Sequence, residues 1–518
     1  MKRLFVAFIC ILCYACTSTQ KQEIRYFVNP VIPGDLADPT LLRMGETYYA
    51  AGTSSEWAPF YPLYSSIDLV NWVQIGHIFE DKPEWTVSSF WAPELFYHNN
   101  KVYCYYTARR ETDGVSYIGV ATTSDLATEK FTDHGLLLTF GTEAIDAFVF
   151  DDNGQLYITW KAYGLDERPI ELMGSKLSDD GLRLEDEPFS LLTDDENTGM
   201  EGQYHFRKGD YYYILYSAHG CCGPNSNYDV YAARSKSFKG PYETYEGNPV
   251  LHGGSDFISC GHGTAATTPD GRMYYLCHAY LPGDGFYMGR QAILQEMTIG
   301  EDNWVHFADS SSASIKQPLP FNRVVQEKIS DFEDDFNEAT LKKEWAWNYV
   351  YADIDARITN SQLVLSGKPK EGNQQGTVLC LRPVAPHYSF ETQIAGRNNS
   401  SKGLTIYGDD KNMLAWFFAD DKVQLKMVSG NREMILGEQP VTEEAVFLKI
   451  EIRKGCYAAC YWSKDGNTWE QLGSASIDCS RLVRWDRIAR PGLIHIGDPG
   501  KPAVFSYFKL KNLIDEYE

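Results

Sequence analysis

A single pattern, written five times, constrains this chain more than anything else in it. A turn followed by a tyrosine-bearing strand recurs as MGETYYAAG, NNKVYCYYTA, NGQLYITWKA, KGDYYYILYSA and DGRMYYLCHAY. The aligned tyrosines, Tyr48, Tyr103, Tyr157, Tyr212 and Tyr274, are spaced by 55, 54, 55 and 62 residues. Nine to twelve residues before each stands a polar residue in an apolar setting: Asp38, Glu94, Asp146, Glu201 and His262. A β repeat of this length with one hairpin per copy predicts a propeller, one blade per repeat, and therefore five blades. If each polar residue lies on its blade's innermost strand, residues scattered over more than 220 positions meet in one central channel.

The repeats occupy residues 25–308, and the fifth closes with EMTIGEDNWVHF. Ser- and Pro-rich DSSSAS and QPLP then mark a linker over 309–330. From 331 to 518 the apolar residues alternate without a long period, as in YSFETQI and VFLKIEIRKGCYAACYW, which predicts a β-sandwich of jelly-roll type. The fold class is thus all-β, a five-bladed β-propeller followed by a sandwich. In the second region Ser463–Trp469, SKDGNTW, reads as a tight hairpin turn.

The N-terminus, MKRLFVAFICILCYACTSTQ, has a basic start and a nine-residue apolar run, too short to span a bilayer at about 20 residues. It reads as a signal peptide over 1–16, with a lipobox-like end that makes Cys16 the expected lipidated residue. Export to the periplasm or outer membrane of a Gram-negative bacterium follows, with membrane contact only through that anchor. The net charge of −23 argues against nucleic acid as a partner, since phosphate binding needs a basic footprint. Nine cysteines remain beyond the leader, none in a CxxC, so most read as buried thiols. Adjacent Cys221 and Cys222 read either as a vicinal disulfide or as two unrelated small residues.

Three of the channel residues are carboxylates. Asp38 precedes Pro39, which biases it toward extended backbone. Asp146 lies in EAIDAFVF and Glu201 in TGMEGQYHF, among Ile145, Phe148 and Met200. Burial and mutual repulsion raise the pKa of at least one such acid, as a general acid near neutral pH requires. Glycoside hydrolysis needs two acids, and a third can tune one of them. His262 reads as a cation ligand or as a hydrogen-bonding histidine. Glu94 reads as structural. Trp91 is a sugar platform or core, and Arg290 a clamp for a carboxylate or a sugar hydroxyl.

ADPTLLRMGETYYAAGTS, WAPELFYHNNKVYCYYTA, AIDAFVFDDNGQLYITW, MEGQYHFRKGDYYYILYSA and GHGTAATTPDGRMYYLCHAY together resemble the successive blade motifs of glycoside hydrolase family 43. The resemblance implies a five-bladed propeller and an inverting mechanism. By motif, Asp38 matches the general base, Asp146 the acid that modulates a pKa, and Glu201 the general acid. His262 matches a histidine that holds a central calcium through waters, and Arg290 an arginine lining the sugar site. Ala147 departs from the family's usual proline. The stretch CCGPNSNYDVYAARSKSFKGPYE is similar to a cysteine-bearing loop of arabinan-acting members. The C-terminal region resembles the concanavalin-like sandwich appended to many members.

These readings predict an inverting exo-glycosidase that releases α-L-arabinofuranose from plant polysaccharides or oligosaccharides, with β-D-xylosidase as the alternative within the family. Fructan-acting propellers open with Asn-Asp-Pro-Asn-Gly, where this chain has Ala37-Asp38-Pro39-Thr40. An alternative of another class is a non-catalytic glycan-binding lipoprotein. No organic cofactor is expected, only calcium at the propeller centre.

Overall fold

The computed structural model describes residues 25–513 apart from 309, 323, 420, 431 and 484, so the leader and Cys16 lie outside the described residues. Five antiparallel sheets form the blades. Each runs outward from an innermost strand: Thr40–Met44, Thr86–His98, Ala144–Asp152, Glu201–Lys208 and Ser259–Thr267. The tyrosine strands are second in every blade. Their alternation puts one row of side chains against each neighbouring blade, so the cores lie between blades. Trp160, Tyr105 and Ile158 fill one such layer, and Tyr213, Leu215 and Tyr275 another.

The ring closes differently from the sequence expectation for the fifth repeat. The strand Gln291–Ile299 is flanked by Val305–Phe307 at one end, as EMTIGEDNWVHF suggests, and by N-terminal Ile32–Asp35 at the other. The first residues of the propeller thus complete its last blade, which ties the two ends of the ring together in one ladder. Tyr26–Val28 likewise pairs with Lys316–Pro318, and Arg272 donates to the Leu319 carbonyl at 3.0 Å, so much of the Ser/Pro stretch is laid onto the propeller.

The second region is a sandwich of an eight-stranded and a seven-stranded antiparallel sheet among the described residues. Trp345, Trp416, Trp462, Phe390 and Phe505 fill the space between them. Asp465 caps the turn of the SKDGNTW hairpin by accepting from the Asn467 and Thr468 amides at 2.8 Å each. No helix among the described residues is long and apolar enough to cross a membrane. Cys221 and Cys222 form a vicinal disulfide, and the other seven described cysteines are buried thiols.

The two regions are in direct contact. Ala58 and Trp347 exchange backbone hydrogen bonds at 3.1 and 2.8 Å. Arg487 of the sandwich reaches Glu56 of the first blade at 2.5 Å. The loop carrying Trp485 and Asp486 lies over the end of the channel that holds Asp38, with Arg290 between them.

Candidate active site

One backbone device builds the site. On or just before each innermost strand a residue at the channel adopts positive φ: Asp38 (53°, not the extended backbone expected before Pro39), Ala92 (43°), Asp146 (58°), Gly202 (62°) and His262 (42°). In blades two to five it falls at a β-bulge, where pairing with the tyrosine strand slips. A bulge re-aims side chains and frees one amide from the ladder. Those freed amides need acceptors, and a side chain on or just after the preceding blade's tyrosine strand supplies them. The Ala92 amide donates to Thr53 Oγ1 at 2.9 Å, Asp146 to Thr107 Oγ1 at 3.1 Å, and His262 to Ser217 Oγ at 2.8 Å. The Asp38 amide closes the ring on His278 Nδ1 at 3.1 Å. Only the fourth blade departs. The equivalent residue in its neighbour is Lys161, which has no lone pair to offer, and the Gly202 amide donates to Asp146 Oδ2 at 3.1 Å instead.

This ring revises the sequence alignment of the five polar residues. Asp38, Asp146 and His262 occupy equivalent positions. Glu201 precedes its bulge by one residue, and Glu94 follows its own by two. Glu94 therefore sits a layer deeper, where its Oε2 accepts from Thr40 Oγ1 at 2.8 Å. Burial pushes its carboxyl up to about 8, with the Thr40 bond the only opposing influence.

Asp38, Asp146 and Glu201 come together around His262 and Gly202. His262 Nδ1 lies 3.5 Å from Asp38 Oδ1 and 3.9 Å from Asp146 Oδ2. Asp38 accepts from Thr53 Oγ1 at 2.6 Å and lies 3.5 Å from Arg290 Nη1. Burial pushes the Asp38 carboxyl up, but the Arg290 guanidinium above all outweighs it and holds the group well below the usual carboxylate range. His278 is itself kept neutral by burial, which pulls it down to about 4.

Asp146 has the opposite environment. Burial raises it to about 7, helped by the Glu201 and Asp38 charges and opposed by His262 and Lys161. Glu201 accepts from Tyr228 Oη at 2.9 Å on one oxygen and lies 3.3 Å from Lys161 Nζ on the other. Lys161 is shared with Glu143 at 3.2 Å. Burial lowers the Lys161 pKa, and Glu201, Glu143 and Asp146 more than restore it, so the ammonium stays charged. Gly202 permits the close approach: a Cβ there would stand 2.7 Å from Cγ of the His262 ring.

Arg290 is only 5% exposed and spans both regions, with Nη2 at 3.8 Å from Asp486 of the sandwich and Nη1 at 3.6 Å from Cys222 Sγ. Trp91 is half-buried beside Ala92, under Arg109 at 5.7 Å, and its buried Nε1 has no partner. Sequence reasoning missed Thr53, Lys161, Tyr228, His278, Glu143 and Asp486. For Thr53, Lys161 and His278 a signal existed: with Thr107 and Ser217 they recur four or five residues after the aligned tyrosines.

Below the ring, Glu94, Gln203, His262, Thr40 and Thr264 line a void of about 10 Å³, and Gln203 Oε1 is buried without a partner. An orphan carbonyl oxygen, a carboxyl and an imidazole are donors that a hard cation accepts, and since the void has room for one water-sized body, water ligands would have to stand in the channel above it. No group of three or more His, Cys, Asp or Glu side chains among the described residues is placed to hold a metal, so the fit requires water ligands.

The family model of glycosyl hydrolases family 43 matches residues 27–305, and that of the beta xylosidase C-terminal concanavalin A-like domain matches 333–492. The chain is 30% identical over 308 residues to the extracellular exo-alpha-(1->5)-L-arabinofuranosidase ArbA of Cellvibrio japonicus, covering 52% of this chain and 84% of that one. It is 23% identical over 499 residues to a xylan 1,3-beta-xylosidase of a Vibrio species, covering 86% and 90%. Among solved structures, a mutant of the GH43 protein BlXynB of Bacillus licheniformis superposes with a TM-score of 0.81 at 22% identity, over 94% of this chain and all of that one.

Proposed function

The chain belongs to glycosyl hydrolases family 43, and on that premise we propose that it is an inverting, exo-acting α-L-arabinofuranosidase. The observation that carries the chemistry is the opposite tuning of Asp38 and Asp146 around one imidazole, with Glu201 attached to Asp146 through the Gly202 amide. Asp38, held ionised by Arg290, takes the proton from the attacking water. Glu201 gives its proton to the glycosidic oxygen, on the other side of the sugar ring. Asp146 transfers no proton. Its Oδ2 accepts from the Gly202 amide and so fixes the peptide next to Glu201. Tyr228 and Lys161 hold the two Glu201 oxygens in place. Trp91 offers an aromatic edge to the sugar, and Arg290 orients Asp38.

Arabinose as the released sugar is supported by the 30% identity to ArbA and by the disulfide loop beside Arg290. One observation favours β-D-xylosidase as a second reading: the Vibrio xylosidase aligns along propeller and sandwich alike, over 86% of this chain. A panel of aryl pentosides decides between them. ArbA is named extracellular, which supports export of this chain as well.

Replacement of Asp38 or Glu201 by Ala is expected to cut turnover of an aryl arabinofuranoside by about 10²–10⁴-fold. Near-wild-type turnover in either variant overturns the role assignment. Proton NMR of the first-formed anomer tests inversion, and a retained anomer refutes it. We assign the central void to calcium held through water by His262, Glu94 and Gln203. The ion would supply fixed positive charge beneath the carboxylates. A melting temperature and activity indifferent to chelator remove that assignment.

A further inference from the structure

Away from the catalytic carboxylates, the joint between propeller and sandwich contains two arginines with no ion-pair contact among the described residues. Arg490 is 6% exposed, yet among the described residues its guanidinium makes no hydrogen bond and no ion pair. Its charge lies over the Trp57 ring at 4.2 Å. Arg382 has a single polar contact, Nη1 to the Asp35 carbonyl oxygen at 2.8 Å, and lies 5.5 Å from the Tyr64 ring centre. Burial pulls Arg490 down to about 9 and Arg382 to about 10, with the Asp35 charge opposing it in both.

The nearby carboxylates are spoken for. Glu56 and Asp486 are held by Arg487 at 2.5 Å each, and Asp38 and Asp486 flank Arg290 at 3.5 and 3.8 Å. Only Asp35 remains for both arginines, and one of its oxygens already accepts the Arg290 amide at 3.1 Å. Four arginines and four carboxylates thus meet at the joint, but three of the carboxylates lie against Arg290 and Arg487, and Arg382 and Arg490 have only Asp35 between them.

Between the two guanidiniums lies a cavity of about 20 Å³, lined also by Thr53, Ser54, Trp57, Gln74 and His77. That is room for one water-sized occupant. The Ser54 hydroxyl accepts from the Tyr61 amide at 3.2 Å and donates to no described residue, so its proton is free to point inward. His77 adds no charge, because burial pulls it down to about 4. Glu344 stands at the mouth but is exposed and reaches neither arginine.

We propose that this cavity is a binding site for a small monovalent inorganic anion, chloride in solution, held between Arg382 and Arg490 at the ends of two neighbouring strands of one sandwich sheet, with Ser54 of the propeller donating across the joint. The anion gives the two guanidiniums the close ionic partner they lack and locks the sandwich against the first blade.

Two measurements on the full-length protein test it. The first is thermal unfolding in sodium chloride against sodium gluconate at equal ionic strength. The expected result is a saturable upward shift of about 2–4 °C in chloride. The second is diffraction from crystals grown in bromide without chloride, which should show one anomalous peak in the cavity. Arg490→Gln and Arg382→Gln should each abolish the chloride increment; each variant is compared with itself in the two salts, so a general loss of stability cancels. Equal midpoints for the wild type in both salts, a cavity holding water instead of bromide, or an increment that survives in both variants overturns the proposal.

Discussion

Lys161 stands where the other blades place Thr53, Thr107, Ser217 and His278, all of them acceptors for the amide of a positive-φ residue. The substitution changes two things at once. It leaves the Gly202 amide free to bind Asp146, and it puts an ammonium beside Glu201 with Glu143 as counterweight. Lys161→Met is therefore expected to loosen Glu201 without removing it. Turnover should fall about 10–10²-fold on substrates with poor leaving groups and much less on a 2,4-dinitrophenyl glycoside, which needs no proton. Equal losses on both substrates would mean that Lys161 serves only the fold. Asp146 makes a second prediction through stability. Its folded pKa of about 7 lies above the unfolded value of 3.8, so its contribution is fully present below 3.8 and is lost as pH rises through 7. Asp146→Asn keeps an acceptor for the Gly202 amide and removes that loss. Relative to wild type, the variant's melting temperature should rise between pH 5 and pH 8, while turnover falls at least about tenfold. A pH-independent difference in melting would show that the carboxyl is not strained by burial.

Bulged innermost strands are the element on which the site depends, and Gly202 is the tightest point of the five. It sits at φ 62° with no space for a Cβ against the His262 ring. Gly202→Ala should cost about 1–2 kcal/mol from left-handed backbone alone. It should also displace His262, so activity is expected to fall more than the small shift in the denaturation midpoint explains. Unchanged kcat/KM would separate His262 from the site. The same element explains what was legible beforehand. The tyrosine repeat gave the blades, because a hairpin and its alternating strand leave a local signature. Asp38, Asp146 and Glu201 were legible because a carboxyl in an apolar run is conspicuous. Their relative heights were not. One extra residue in a bulge has no composition, and it shifts Glu201 by one position and Glu94 by two from the positions a simple alignment assigns. The acceptors on the tyrosine strands were visible as letters, but a Thr, Lys, Ser or His at one column looks unrelated until the amide they serve is known. The N-terminal strand in the fifth blade was hidden for another reason: Ile32–Asp35 is short, and only ring closure gives it a partner.

At the scale of the whole molecule, the sandwich takes part in the site rather than standing beside it. Its loop between Ser480–Leu482 and Arg490–Ile496 brings Asp486 to Arg290, and thereby to Asp38, across a sequence distance no local pattern records. Trp485, next to it, is 60% exposed despite its size, and its carbonyl oxygen would lie 3.3 Å from a Cβ at Gly223, the residue after the vicinal disulfide. An exposed indole next to Asp486, whose backbone lies against the disulfide loop that touches Arg290, is a candidate to stack on the part of a glycan beyond the cleaved bond. Stacking of this kind is worth about 0.5–1.5 kcal/mol. Trp485→Ala should accordingly raise KM for an oligosaccharide by about 2–10-fold and leave an aryl monoglycoside unchanged, since the latter has nothing to reach that far. Asp486→Asn should show the reverse split, lowering kcat on both substrates, because it loosens Arg290 behind the base without touching the distal sugar. If Trp485→Ala weakened both substrates alike, the loop would be acting through Asp486 and the joint, and the sandwich would shape the site only from behind.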